Sequence, residues 1–306
     1  MRFEYLEPRT LRECAEMLGH YGSEARLLAG GTDLVVKLRS GTLRPRAVIT
    51  LGFIRELRTL KRNNDGSLDI GAMQTLREVE HAERLGDDFD MIRRGAGCVS
   101  SMQVRNVATL GGNSCNASPA ADTVPGLIAA GARAVMTGRQ GERMLLLEEF
   151  FLGPGQTALR SDEILTGFRI PAPPPHSGGC YKKFAIRGEV DLAIVGVAAS
   201  LVLEGHDHSI KEARIVLGAV GPTPLRSRKA EEMLSGQHTT KDLFFEAARI
   251  AAEESQPISD QRASAPYRKE MIRVWTRYAL EEAFQKSIGG DPYEEINSKI
   301  QTPNSK

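Results

Sequence analysis

Apolar positions along this chain alternate between a helical and a strand-like spacing. Leu11, Ala15, Met17 and Leu18 fall on one face of a helix that Thr10 is placed to cap and Gly22 to end. Residues 26–28 read as a short strand running into Leu28-Ala29-Gly30-Gly31-Thr32-Asp33-Leu34, where Thr32 is expected to cap a helix over 33–39 that closes at Gly41. Residues 47–51 form another strand. Residues 57–62 and 67–71 alternate around Asn63-Asn64-Asp65-Gly66, a strong hairpin signal. Residues 75–83 and 89–98 have helical spacing. A second glycine turn, Thr109-Leu110-Gly111-Gly112-Asn113, then leads to Asp122, placed to cap an apolar helix over 123–130. Residues 132–137, 144–147 and 163–170 read as strands.

At Pro171-Ala172-Pro173-Pro174-Pro175-His176-Ser177-Gly178-Gly179 the pattern breaks. Three consecutive prolines and then two glycines do not belong inside a helix or a central strand. The predicted division is therefore a first domain over 1–176, with subdomains of about 1–54 and 55–176, and a second over 177–285. Beyond the break, 181–185, 193–204 and 213–219 read as strands, and 229–234, 243–254 and 266–284 as helices. Residues 286–306 are polar and aperiodic, a predicted loose tail. There is no internal repeat.

The 306 residues suffice for two domains with real cores. Forty basic residues against 39 acidic ones leave a net charge of +1, so no global field draws this chain to nucleic acid or an anionic membrane. Any phosphate binding has to come from local backbone geometry. The N-terminus lacks a signal-peptide pattern, and the longest apolar run, about twelve residues near 192–203, is too short to span a bilayer; a cytoplasmic protein is expected. Cys14, Cys98, Cys115 and Cys180 are scattered without C-x-x-C spacing, which encodes neither a zinc site nor an iron–sulfur cluster.

The candidate chemistry lies in the two glycine turns. Glycine pairs after apolar stretches let backbone N–H groups approach an anion where a Cβ would intrude. The region from Arg105 to Asp122 adds Asn113, Ser118 and Asp122, which can bind hydroxyls, in a loop costly to order unless something fills it. Neither turn is a lysine-bearing phosphate loop. Gly95-Ala96-Gly97 and Gly153-Pro154-Gly155 only echo a dinucleotide fingerprint, lacking the strand before and the helix after. His206-Asp207-His208 reads as a solvated turn. No Ser/His/Asp or Cys/His arrangement stands out, so an enzyme built on this chain relies on a cofactor, most simply FAD.

Taken together, Ala29-Gly30-Gly31-Thr32-Asp33-Leu34, Arg105-Asn106 leading to Thr109-Leu110-Gly111-Gly112-Asn113, Ala117-Ser118-Pro119, Asp122, Glu163-Ile164-Leu165, residues 183–191 and residues 259–268 resemble the FAD-binding medium subunits of molybdenum hydroxylases. That family includes the flavin subunits of carbon monoxide dehydrogenase and bacterial xanthine dehydrogenase. The resemblance implies an α+β fold: a two-subdomain FAD-binding unit of the vanillyl-alcohol-oxidase (PCMH) type, then a small α+β flavoprotein C-terminal domain. It implies that Leu28, Ala29, Gly30, Gly31, Thr32, Asp33 and Leu34, with Ala108, Thr109, Gly111, Gly112 and Asn113, hold the pyrophosphate and ribityl chain of FAD. Ser118 is also expected at the cofactor, Asp122 at a flavin hydroxyl, Leu165 against the adenine or flavin rings, and Lys183 near the isoalloxazine. No side-chain base is expected. Electrons would arrive from a [2Fe–2S] small subunit, after oxidation of substrate on a molybdenum-cofactor large subunit, within a dimer of heterotrimers. Val99 departs from relatives that place an aromatic ring against the adenine. A self-sufficient flavin oxidoreductase, with Cys115 as the one candidate covalent anchor, and a non-catalytic nucleotide-binding protein are the rival expectations.

Overall fold

Three principal β-sheets follow one another along the chain, and the elements between them set the functional geometry. The computed structural model describes residues 2–205 and 208–289. In the first unit, β1 (Glu4–Leu6), α1 (Leu11–Tyr21), β2 (Ala25–Leu28), α2 (Leu34–Arg39) and β3 (Ala47–Thr50) form a parallel sheet of order β1-β3-β2. Helix α1 starts as its sequence predicts: the Thr10 side chain accepts from Glu13 N, and Gly22 ends the helix at φ +53°. The expected cap on α2 is absent. Asp33 occupies the N-cap position, and neither it nor Thr32 makes a side-chain cap bond. A core of Cys14, Leu18, Ile49, Ile54 and Leu57 sits between α1 and this sheet.

The second unit runs through β4 (Leu60–Arg62), β5 (Leu68–Gly71), α3 (Leu76–Glu80), α4 (Asp90–Gly97), α5 (Met102–Arg105), α6 (Leu110–Cys115), α7 (Thr123–Ala129), β6 (Arg133–Gly138), β7 (Gly141–Leu146), β8 (Phe151–Gly153), β9 (Gln156–Thr157) and β10 (Ile164–Ile170). Its five-stranded sheet is antiparallel, in the order β4-β5-β10-β6-β7. The hairpin predicted around Asn63–Gly66 is there, with Gly66 at φ +82°. Its first arm is shorter than expected, because 55–58 forms a 3-10 turn that buries Leu57. The second glycine turn is a short helix, α6, capped by Thr109. Every residue of α7 is buried, as a helix apolar all round must be.

The third unit contains β11 (Ser177–Phe184), β12 (Val195–Glu204), β13 (Ser209–Gly218), β14 (Leu225–Arg226), α8 (Arg228–Leu234), α9 (Lys241–Glu254) and α10 (Ala265–Ser287), with an antiparallel sheet in strand order. The sequence pattern places Gly178 and Gly179 outside any strand, yet both lie in β11, an edge strand. The reason is packing on both faces. A Cβ on Gly178 would sit 2.1 Å from the Ala283 carbonyl oxygen of α10, and one on Gly179 would sit 2.0 Å from Met91 Cε of α4. Two helices thus close on one strand from opposite sides. Helix α10 continues to Ser287, past the start of the predicted tail; the tail from 290 onward lies outside the described residues, as do His206 and Asp207.

Candidate functional site

A cleft of about 730 Å³, within the usual range for small-molecule and cofactor sites, opens where the first two units meet. Fourteen of the sixteen expected residues line it: Ala29, Gly30, Gly31, Thr32, Asp33, Leu34, Ala108, Thr109, Gly111, Gly112, Asn113, Ser118, Asp122 and Leu165. Leu28 and Lys183 do not. Leu28 ends β2, and its side chain instead packs where Gly31 has no Cβ. Lys183 stands behind the wall and donates to Asp122.

The two glycine turns touch. A Cβ on Gly30 would lie 1.9 Å from the carbonyl oxygen of Val107, so this glycine lets the first bend rest on the backbone that enters the second. Gly111 does the same a layer deeper: its Cβ would lie 2.5 Å from Ala72 Cβ, at the end of β5. Glycine is required at both positions for close contact within the protein. Gly31 differs: at φ +75° it turns the chain through a region that side chains seldom adopt.

Amides from both bends were expected to face the cofactor, and the hydrogen bonds divide them. In the first bend, the N–H groups of Gly31, Thr32 and Asp33 find no acceptor among the described residues. In the second, those from Leu110 to Asn113 are spent. Leu110 N donates to Gln74 O, Gly111 N to Ala72 O, Gly112 N to Thr109 Oγ1 and Asn113 N to Thr109 O, all at 2.9–3.0 Å. What the second region offers the cleft is side chains. Asn113 Oδ1 accepts from Thr123 Oγ1 at 2.6 Å, which turns its amide NH₂ free to donate. Ser118 Oγ accepts from Ala120 N and keeps its own proton.

Asp122 heads α7 without capping it. Its Oδ1 accepts from Tyr181 Oη at 2.7 Å and its Oδ2 from Lys183 Nζ at 2.9 Å, both from β11. The Asp122 and Lys183 side chains are 6% and 5% exposed, so this is a buried ion pair joining the cleft wall to the third sheet. Burial pushes the Asp122 carboxyl above the usual carboxylate range, against the pull of Lys183 and Tyr181. Burial, with the Asp122 charge, drives the Tyr181 hydroxyl well above its ordinary value, which keeps it a proton donor. Lys183 Nζ also donates to Cys98 O at 2.7 Å. The sequence motifs point to Asp122 and Lys183 and pass over Tyr181. The signal was available, since residues 181 and 183 of one strand share a face.

Leu165 reaches the cleft from β10, where consecutive side chains point to opposite faces of the sheet. The register with β6 shifts just beyond it, between Leu165 and Gly167. Ile164 enters the first core and Leu165 the second, and both line the cleft. Arg105, 8% exposed, donates to the carbonyls of Val99 and Ser100 and pairs with Glu80 at 3.0 Å. It thereby holds the Val99–Ser100 wall, with Ser100 at φ +51°. Desolvation pushes the Cys115 thiol up to about 12, which disfavours its thiolate. All four cysteines are free.

Free amides on a bend set by a glycine at positive φ, beside hydroxyl-binding side chains and an apolar wall, fit a dinucleotide with a ring system at one end and a diphosphate in the middle. The family described as the FAD binding domain in molybdopterin dehydrogenase matches residues 1–173, and the CO dehydrogenase flavoprotein C-terminal domain matches residues 179–283. The chain belongs to this family of FAD-binding subunits of molybdenum-containing dehydrogenases. It is 30% identical to the xanthine dehydrogenase FAD-binding subunit of Escherichia coli O157:H7, over 93% of this chain and 97% of that one. It is 31% identical to the carbon monoxide dehydrogenase medium chain of Hydrogenophaga pseudoflava, over 93% and 98%. Among solved structures, carbon monoxide dehydrogenase from H. pseudoflava contains a chain that superposes with a TM-score of 0.88 at 31% identity, covering 94% of this chain and 98% of that one. The mixed helix and strand architecture and the FAD-binding plus C-terminal flavoprotein arrangement agree with the expected fold class.

Proposed function

We propose that this chain carries FAD in a molybdenum hydroxylase, between a [2Fe–2S] small subunit and an external acceptor, with a molybdenum-cofactor large subunit oxidising the substrate. The observation that carries the reading is the first bend: three unpaired amides at Gly31, Thr32 and Asp33 around a positive-φ glycine, lining the cleft. These amides take the diphosphate. Asn113, Ser118 and Asp122 take hydroxyls of the ribityl chain, Leu165 packs on a ring, and Thr109, Gly111 and Gly112 hold the second bend in place. Bound flavin supplies exchange of electrons singly or in pairs, chemistry that no side chain here provides. Lys183 acts through Asp122, fixing its charge and orientation from behind the wall. The division at about residue 176 separates the FAD-binding unit from the C-terminal domain. The relatives' names, one a subunit and one a medium chain, support a complex with further subunits; we assign it two, assembled as a dimer of heterotrimers. No helix among the described residues is long and apolar enough to cross a membrane, in keeping with a cytoplasmic complex.

Purification of the full chain with its copurifying partners tests this directly. The expected result is a yellow preparation with stoichiometric FAD, a cysteine-rich small partner and a much larger molybdenum-bearing one. Gly31→Leu should leave the chain colourless. Full flavin content in that variant would remove the bend from the site.

A further inference from the structure

The cleft has no surplus of positive charge with which to receive a dianion. The charged residues that line it are Arg26, Lys37, Asp33, Asp122 and Asp191. Asp122 is paired with Lys183 and Asp191 with Arg187, while Arg26 Nη1 donates to the carbonyls of Ser23 and Ala25 at 2.6 Å. At the first bend itself two charges remain, Asp33 and Lys37. Asp33 is the N-cap of α2 and Lys37 lies within it, at i and i+4, a spacing that brings side chains together. They make no direct ion pair among the described residues. Asn116, from the end of α6, lies between them: Lys37 Nζ donates to Asn116 Oδ1 at 3.2 Å, and Asn116 Nδ2 donates to Asp33 Oδ1 at 3.2 Å.

This bridge spans the two bends across the cleft. It fixes the Asn116 amide with its oxygen toward the ammonium and its nitrogen toward the carboxylate. It also occupies only one of the three Lys37 protons and leaves Lys37 exposed, so two donors remain beside the unpaired amides of Gly31, Thr32 and Asp33. The Asp33 carboxylate by itself would repel a diphosphate. Lys37 cancels that repulsion and adds a charged donor, and Asn116 keeps it over the cleft.

We propose that Lys37, held across the cleft by Asn116, is a further diphosphate-binding residue and makes the site select flavin dinucleotide over flavins that lack the diphosphate. This rests on the FAD reading above. It adds a side-chain cation to a grip otherwise made by backbone, and the two predict different things. Backbone amides bind the diphosphate with little dependence on salt, whereas an exposed ammonium is screened.

The test is equilibrium titration of the flavin-depleted full chain with FAD and with riboflavin, followed by flavin fluorescence, in wild type, Lys37→Met and Lys37→Arg. The wild type should bind FAD far more tightly than riboflavin. Lys37→Met should weaken FAD by roughly tenfold, the scale of one charge-assisted hydrogen bond, and leave riboflavin unchanged. Lys37→Arg should recover most of the loss, and added salt should narrow the gap between wild type and Lys37→Met. An unchanged FAD affinity in Lys37→Met would overturn the assignment, as would equal weakening of FAD and riboflavin, which marks a structural role. A wild-type chain that does not prefer FAD to riboflavin would instead overturn the diphosphate reading of the bend, and this assignment with it.

Discussion

The two glycine motifs look alike in sequence and do opposite things in the fold. Leu28–Leu34 is an open bend with the amides of Gly31, Thr32 and Asp33 unpaired and one glycine at positive φ; Thr109–Asn113 is a capped helical turn whose amides from Leu110 to Asn113 are bonded. The second is stitched to the chain at 72–76 by three backbone bonds, from Leu76 N to Ala108 O, Leu110 N to Gln74 O and Gly111 N to Ala72 O. It is a platform, and the first bend rests on it through the Gly30–Val107 contact. A glycine pair can therefore expose backbone to a ligand or bury backbone against backbone, and the residues alone do not say which.

The contact between the bends is the place to break this comparison. Gly30→Val puts side-chain atoms into the Val107 carbonyl, where no rotamer relieves the clash. It should cost more than roughly 4 kcal/mol and abolish flavin retention, read by denaturant unfolding and by absorbance of the purified protein. A stable, yellow Gly30→Val would show that the bends do not depend on each other. Lys183→Met comes next. Removing one partner of a buried pair should cost roughly 3 kcal/mol near neutral pH. The carboxyl left behind is already raised by burial, so in the variant it is charged in the unfolded chain and resists charging in the folded one. The deficit relative to wild type should thus be smallest below about pH 4, where Asp122 is protonated in both states, and grow as pH rises. A deficit independent of pH would mean that Lys183 contributes packing alone.

Smaller effects sharpen the contrast. Gly31→Ala forces a Cβ into φ +75°, with only the movable ends of Leu28 and Val35 nearby at 3.1 Å. It should cost roughly 1–2 kcal/mol and weaken flavin binding out of proportion to that loss, because the bend itself displays the amides. Thr109→Ala removes the α6 cap and should cost about 1 kcal/mol with flavin largely retained, since the amides of Leu110 to Asn113 are already bonded within the protein. Were Thr109→Ala to lose flavin as completely as Gly31→Ala, the division of labour between the bends would fall.

Much of this organisation is legible in the sequence. Thr10 and Gly22 bracket α1, Asn63–Gly66 turns its hairpin, and the residues that line the cleft could be named because their motifs are contiguous. Helix α6 is hidden because two glycines, an asparagine and a serine lower helix propensity; the Thr109 cap and the bonds to 72–76 outweigh that. The Gly178–Gly179 strand is hidden because the helices that require glycine there, α4 and α10, lie far away in the chain on either side of it. Tyr181 escapes notice for the same reason, its partner Asp122 lying 59 residues earlier.

What the sequence determined by itself is local: which turns need glycine, where helices start and stop, and which polar side chains cluster. What only tertiary structure decided is which of those groups are already satisfied. A hydrogen-bond donor is available to a ligand only if nothing in its own chain has taken it, and the partners that take or spare the amides of these two bends are brought together only by folding.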